Sequence, residues 1–293
     1  VIDWPRGPFY WSEGRALKVS IPFTWNLPEV KRVIQRGSLA HDRYILGGPA
    51  TELMPDYFKG MPSVETGKAE PGVLQRINPG ATRTTVGCIR KCQFCAIGKG
   101  LIEGGPMEEL DDWPDLPVLI DNNILGVSQG HFDRVIERLK KHDFCDFNQG
   151  LDARLITDYH AKRFNELKNP VLRLACDGPR VKKLWEKGFD TLRRAKVAKR
   201  SIRSYVLVAF DSGPEECWKR CNWVESHGVL ALPMWYHPLD ALDWNCVTEK
   251  QKEMGWDDES RKEIMGFFYK HRGERQYSIP RPALRQQPGG GDE

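Results

Sequence analysis

Ala81-Thr82-Arg83-Thr84-Thr85-Val86-Gly87-Cys88-Ile89-Arg90-Lys91-Cys92-Gln93-Phe94-Cys95 is the stretch from which the rest of the chain is read. Its first six residues are β-rich and feed directly into a loop of three thiols, with three and then two residues between successive cysteines. Loops this short close at little entropic cost, so the sulfurs can converge on one centre. Three thiolates suit zinc or an iron–sulfur cluster. A structural zinc site is normally completed by a fourth Cys or His, but no histidine lies near this loop and the next cysteine is Cys145. A disulfide framework is not expected in a long chain without a secretory context.

Downstream, strand-like and helix-like segments alternate. Leu116 to Ile120, Phe144 to Phe147, Val171 to Ala175, Tyr205 to Phe210 and Val229 to Leu232 read as strands. Between them fall helical patterns at Asp133 to Lys141, Thr157 to Leu167, Arg180 to about Ala198, and Pro214 to Ser226. With the strand before the cysteines this makes six parallel βα-type strands, whose functional loops belong at their carboxyl ends.

Cys-x3-Cys-x-Phe-x-Cys, over Cys88, Cys92, Phe94 and Cys95, resembles the signature of the radical S-adenosylmethionine (radical SAM) family. The resemblance implies a partial, open six-stranded parallel βα barrel. It also implies a 4Fe-4S cluster on Cys88, Cys92 and Cys95, with one iron open to the amino and carboxylate groups of S-adenosylmethionine. The implied reaction is reductive cleavage of that cofactor to a 5′-deoxyadenosyl radical, which abstracts hydrogen from a substrate the motif does not identify. An electron donor such as flavodoxin or ferredoxin is implied as partner.

The resemblance carries over loosely to the residues that follow each strand. Asp121 or Asn122 is the expected acceptor for the methionine amino group, although Asp121 is equally a turn-shaping acid. Gln149, Asp152 and Arg154 follow the third strand; an Arg there can pair with a carboxylate, and an Asp or Gln with ribose hydroxyls, the alternative being a plain surface salt bridge of Asp152 and Arg154. Val208 offers an apolar edge to adenine, and Met234 and Trp235, in an aromatic loop after the sixth strand, offer an adenine or substrate wall. Core packing explains Val208 equally well, and aromatic residues at a domain edge are more often packing than recognition.

On the amino-terminal side, residues 1–75 read as a small α/β appendage and connection: a loop to Gly14, a strand over Leu17 to Ile21, a helix from Leu27 to Ile34 capped by Asn26, and a strand over Arg43 to Leu46. Pro62 to Gly80 reads as a long connection or hairpin. Ser20 to Trp25 and Gly47-Gly48-Pro49-Ala50 resemble a shortened remnant of the cobalamin-binding domain that precedes many radical SAM domains. The segment lacks the Asp-x-His-x-x-Gly pattern of the lower ligand, which argues against cobalamin. Residues 76–240 form the expected barrel, 241–280 a helical extension with one helix from Asp257 to Tyr269, and 281–293 a disordered tail.

Composition sets outer bounds. With 40% hydrophobic and 29% charged residues, the chain has an ordinary enzyme composition. A net charge of +4 permits a nucleic-acid partner without demonstrating one. No apolar run reaches membrane-spanning length, and Val1 to Trp11 lacks the pattern of a signal peptide, so a cytoplasmic chain is expected. The basic residues between Arg180 and Arg203 suit either phosphate or a solvated outer helix. Cys217 and Cys221 share a helix face and could join Cys176 or Cys246 in an auxiliary cluster, against the commoner reading as buried thiols. Two further readings compete: a radical methyl- or methylthiotransferase modifying nucleic acid, and a non-catalytic zinc or iron–sulfur regulatory protein.

Overall fold

A computed structural model describes residues 4, 7–37, 41–67, 70 and 72–270. The expected tail at 281–293 lies outside the described residues, as does the end of the extension. The first sheet runs in the order β1 (Phe9–Glu13), β2 (Ala16–Ser20), β3 (Arg43–Gly47), β4 (Val64–Thr66). β1 and β2 are antiparallel, whereas β2, β3 and β4 are parallel. Helix α1 (Leu27–Arg36) connects β2 to β3 and buries Leu27, Val30 and Ile34, the i, i+3, i+7 stripe, against Val19, Leu46 and Phe58. Asn26 holds the cap position, but its side chain makes no capping bond.

Two expectations about this appendage are corrected. Phe9 to Glu13 is a strand instead of loop, because the turn at Gly14, with φ at +58°, folds it back onto β2. The connection from Pro62 to Gly80 contains strand β4 and helix α3 (Val73–Ile77). Short helix α2 (Pro49–Leu53) follows the Gly47-Gly48 turn. A side chain at Gly48 would stand 2.7 Å from the Ile21 carbonyl oxygen, so close backbone packing accounts for that glycine.

The second sheet is six-stranded and wholly parallel, in the order β12 (Leu230–Trp235), β11 (Ile202–Val208), β10 (Pro170–Cys176), β9 (Cys145–Leu151), β8 (Val118–Leu119), β5 (Ala81–Thr82). Chain order gives β5, β8, α4 (Gln129–Leu139), β9, α5 (Asp158–Asn165), β10, α6 (Lys182–Arg194), β11, α7 (Pro214–Ser226) and β12. The expected strand over Ala81 to Val86 divides: β5 stays in this sheet, and β6 (Thr85–Val86) leaves it to pair antiparallel with β7 (Glu108–Glu109). Helices α4 to α7 bury their apolar faces on the sheet; Phe132, Ile136, Phe164, Trp185, Leu192 and Val224 belong to one continuous core. That core also takes Trp256, Ile264 and Phe268, so α8 (Glu249–Glu253) and α9 (Asp258–Lys270) pack as part of the same body.

The appendage and the parallel sheet meet beyond β12. Thr24 Oγ1 donates to the Ala241 carbonyl at 2.6 Å, and the Trp25 and His237 rings lie 4.4 Å apart. Among the described residues no helix is long and apolar enough to cross a membrane.

Candidate functional site

The cysteine loop leaves β6 at Gly87, whose φ of +77° and whose close approach to the Pro106 carbonyl exclude a side chain. Inside the loop, a Cβ at Gly98 would stand 2.6 Å from the Cys92 amide nitrogen, which folds the backbone tightly around the middle thiol. Cys88, Cys92 and Cys95 are all free and partly exposed. The Arg90 amide donates to Cys88 Sγ at 3.4 Å. Burial pushes the Cys92 thiol up, Asp177 adds to this, Arg154 opposes it, and Cys95 and Cys88 contribute further. Cys88 and Cys95 are thus both near enough to Cys92 to act on it. Among the described residues, no group of three or more His, Cys, Asp or Glu is arranged to hold a metal ion. Three partly exposed sulfurs on one glycine-shaped loop are donors of the kind an iron–sulfur cluster takes, but they are not drawn together into a metal site.

Glu103, which sequence reasoning passed over, braces the base of this loop. Its carboxylate accepts from Gly87 N at 2.9 Å, from Asn122 Nδ2 at 2.8 Å and from Arg83. Asn122 Nδ2 also reaches the Gly87 carbonyl at 3.1 Å. Both Asn122 amide hydrogens face the loop, and its oxygen remains the group able to accept.

Asp121 is placed differently from its neighbour. Its two carboxylate oxygens accept from the Thr84 and Thr85 amides, each at 2.7 Å, and from both threonine hydroxyls. Burial raises its pKa and these four bonds oppose the rise. His131 Nε2 extends the network to Thr84 Oγ1 at 3.0 Å. With both oxygens engaged, Asp121 serves as a brace between β5, β6 and the end of β8, and not as an open acceptor.

Beyond the third strand, Asp152 gathers two arginines. Arg90 Nε donates to Oδ2 at 2.7 Å; Arg154 donates through Nε to Oδ1 at 2.6 Å and through its NH2 group to Oδ2 at 3.0 Å. Burial raises the Asp152 pKa, and the bonds from Arg154 and Arg90 more than reverse this, so the net shift is down. Gln149 lies inside β9 instead of after it. Asn148, Gln149 and Gly150 bulge out where the β9–β10 register jumps from Leu172 opposite Phe147 to Leu174 opposite Leu151, leaving Gln149 exposed.

Asp177, also unanticipated, directly follows β10. Burial pushes it up to about 6; Arg154 and Arg220 lower it and Asp152 raises it. No hydrogen bond to its carboxylate is formed among the described residues. The only signal it offered was its place, one residue past a strand's carboxyl end.

No family model matches the chain, and no curated protein does.

Met234 and Trp235 lie within β12 and not in a loop after it, so they point to opposite faces. Met234 is 43% exposed, whereas Trp235 is buried against Trp256, ring centroids 5.0 Å apart. Val208, opposite Trp235 in the register, is fully buried in the same core. Packing therefore accounts for Val208 and Trp235. The rings nearest the thiol loop are Phe94 on Phe210 at 5.6 Å and Phe210 on Tyr236 at 4.9 Å, both edge-on.

The other thiols separate by burial. Cys176, Cys217 and Cys221 are buried and Cys246 is exposed. Burial pushes Cys176 up to about 12 and Cys217 to about 11, and raises Cys221 strongly. Arg220, itself buried, donates to Cys217 Sγ at 3.6 Å.

Proposed function

We propose that this chain is a radical SAM enzyme and that its parallel sheet is the wall of a partial barrel open on one side. One observation carries the reading: a Cys-x3-Cys-x-Phe-x-Cys loop that follows β6, just beyond the first parallel strand, is tied by Arg90 to the acid–arginine pair that follows the third. Cys88, Cys92 and Cys95 would hold the cluster. When bound, a 4Fe-4S cluster supplies the electron that cleaves S-adenosylmethionine reductively to a 5′-deoxyadenosyl radical.

The chain's own residues bind and orient. Arg154 gives two donors to Asp152 and keeps others for a carboxylate, the geometry that suits a guanidinium. Asn122 offers its amide oxygen to an ammonium. Asp177 is an acceptor for a hydroxyl or an ammonium. Phe94, Phe210 and Tyr236 form an aromatic edge beside the thiol loop. The proposed cofactor set is the cluster and S-adenosylmethionine without cobalamin, with a flavodoxin or ferredoxin as electron donor and a cytoplasmic location.

Anaerobic reconstitution with iron and sulfide, followed by dithionite, tests the reading. The expected result is formation of 5′-deoxyadenosine from S-adenosylmethionine, abolished in Cys88→Ala, Cys92→Ala and Cys95→Ala. Iron-loaded protein that leaves S-adenosylmethionine intact would overturn it.

A further inference from the structure

The flank of the parallel sheet carries a charge asymmetry for which the thiol site has no use. Residues 180–200 hold nine Lys or Arg against two acids, Glu186 and Asp190, a net of +7; the whole chain is +4, so the remainder sums to −3. Helix α6 buries Trp185, Phe189 and Leu192 against the sheet, which sends its charged positions outward. Arg180, Lys183, Lys187, Lys196, Lys199 and Arg200 are exposed, and among the described residues none of the six forms an ion pair.

Adjacent outer helices treat their cations differently. Arg163 of α5 is held by Asp133, Glu137 and Glu166; Lys140, just past α4, by Glu137 and Glu166; and Lys219 of α7 by Glu215. A merely solvated face gains from the same interleaving of acids, because like charges left together repel. Along α6 that neutralisation is sparse: Arg194 pairs with Asp158 and Glu186 with His227, while the six cations named above have no such pair among the described residues, which leaves the surface able to take counter-charge from outside.

Placement narrows what that counter-charge is. Arg180 lies three residues past Asp177, at the face that carries the thiol loop, and Lys199 and Arg200 immediately precede β11 at the opposite end of the sheet. A helix the length of α6 spans about 20 Å. The cations thus form a track from the rim of the candidate site down the side of the body. A ligand that answers a track has charges repeated along its length, as a sugar–phosphate backbone has.

We infer that the outer face of α6 and the turn after it bind the phosphate backbone of a nucleic acid, leading one of its nucleotides to the face where Cys92 and Asp177 lie. Naming nucleic acid as the substrate rests on the radical SAM reading; the binding surface does not.

The test is fluorescence anisotropy of the full chain with a labelled 20-nucleotide RNA strand and with its duplex, across a salt series. Two variants accompany it, Lys183→Glu with Lys187→Glu, and Lys196→Glu with Lys199→Glu and Arg200→Glu. All five positions are exposed, and circular dichroism and melting check the fold. Wild-type affinity is expected to fall steeply with salt. Each variant is expected to lose about tenfold or more in affinity at low salt, and the log–log salt slope to flatten by roughly 0.7–0.9 per cation that touched a phosphate. Unchanged iron loading in both variants separates this surface from the thiol site. Wild-type affinity in both variants, binding indifferent to salt, or tighter binding to phosphatidylserine vesicles than to RNA would overturn the inference.

Discussion

Arg90 and Asp152, 62 residues apart in the chain, meet at 2.7 Å, Nε to Oδ2. The contact joins the cysteine loop to the end of the third parallel strand, and Arg154 occupies the other carboxylate oxygen. The loop is therefore anchored at its tip and, through Glu103, at its base. Asp152→Ala leaves two guanidinium groups without their acceptor and is expected to cost about 1–3 kcal/mol of stability, read by urea unfolding. The folded pKa of Asp152 is depressed, so its contribution is present above the unfolded value of 3.8 and disappears as pH falls through the lower folded value. Stability of the wild type should drop more steeply on acidification below about pH 4 than that of Asp152→Asn. Parallel acid-unfolding curves would refute the pairing.

Glu103 concentrates three donors on one carboxylate, two of them from Gly87 and Asn122. Glu103→Ala should free the loop base, and Glu103→Gln, which still accepts, should restore part of it. The expected readout is faster reaction of Cys88, Cys92 and Cys95 with a thiol reagent in the alanine variant, with a loss of about 1–3 kcal/mol. Equal thiol reactivity in all three proteins would show that Glu103 does not set the loop.

Asp177 works in the opposite direction from Asp152. Its folded pKa, pushed up to about 6 by burial, exceeds the ordinary 3.8, so the folded state binds a proton that the unfolded state has released. Stability then declines as pH rises from about 4 to about 6. Asp177→Asn removes that decline and is expected to be more stable than wild type at pH 7 by about 1–3 kcal/mol, while binding S-adenosylmethionine more weakly. A variant with wild-type stability at both pH 4 and pH 7 would contradict the placement.

Cys176, Cys217 and Cys221 are buried in the core, the ordinary place of a structural thiol. Their single serine variants should retain the iron of the reconstituted wild type, about four atoms per chain for one cubane cluster. About seven or eight irons in the wild type, with a loss in Cys217→Ser, would establish an auxiliary cluster instead.

Helix α7 falls on its expected span, Pro214 to Ser226, because a proline start and a strong break at Gly228 bound it locally. Strands β9 and β12 were read too short: the bulge over Asn148 to Gly150 breaks the apolar pattern, and Pro233 imitates a terminator although β12 lies at the sheet edge, where a missing N–H is tolerated. Those two misreadings moved Gln149, Met234 and Trp235 from loops into strands. Asp121 and Asn122, adjacent in sequence, received different partners because one faces the β5–β6 threonines and the other the loop base.

Thiol spacing, helix stripes and strand alternation are short-range properties, so the sequence by itself determined the cysteine loop, its place after a strand and the parallel α/β order that follows. Which carboxylates are engaged depends on chain segments tens of residues apart. Only the tertiary structure decided that Asp121 is taken by Thr84 and Thr85, that Glu103 closes the loop base, that Arg90 reaches Asp152, and that Asp177 stands without a hydrogen-bonding partner among the described residues beside them. A hydrogen bond requires two groups within about 3 Å, and that proximity is set by how strands register and helices pack.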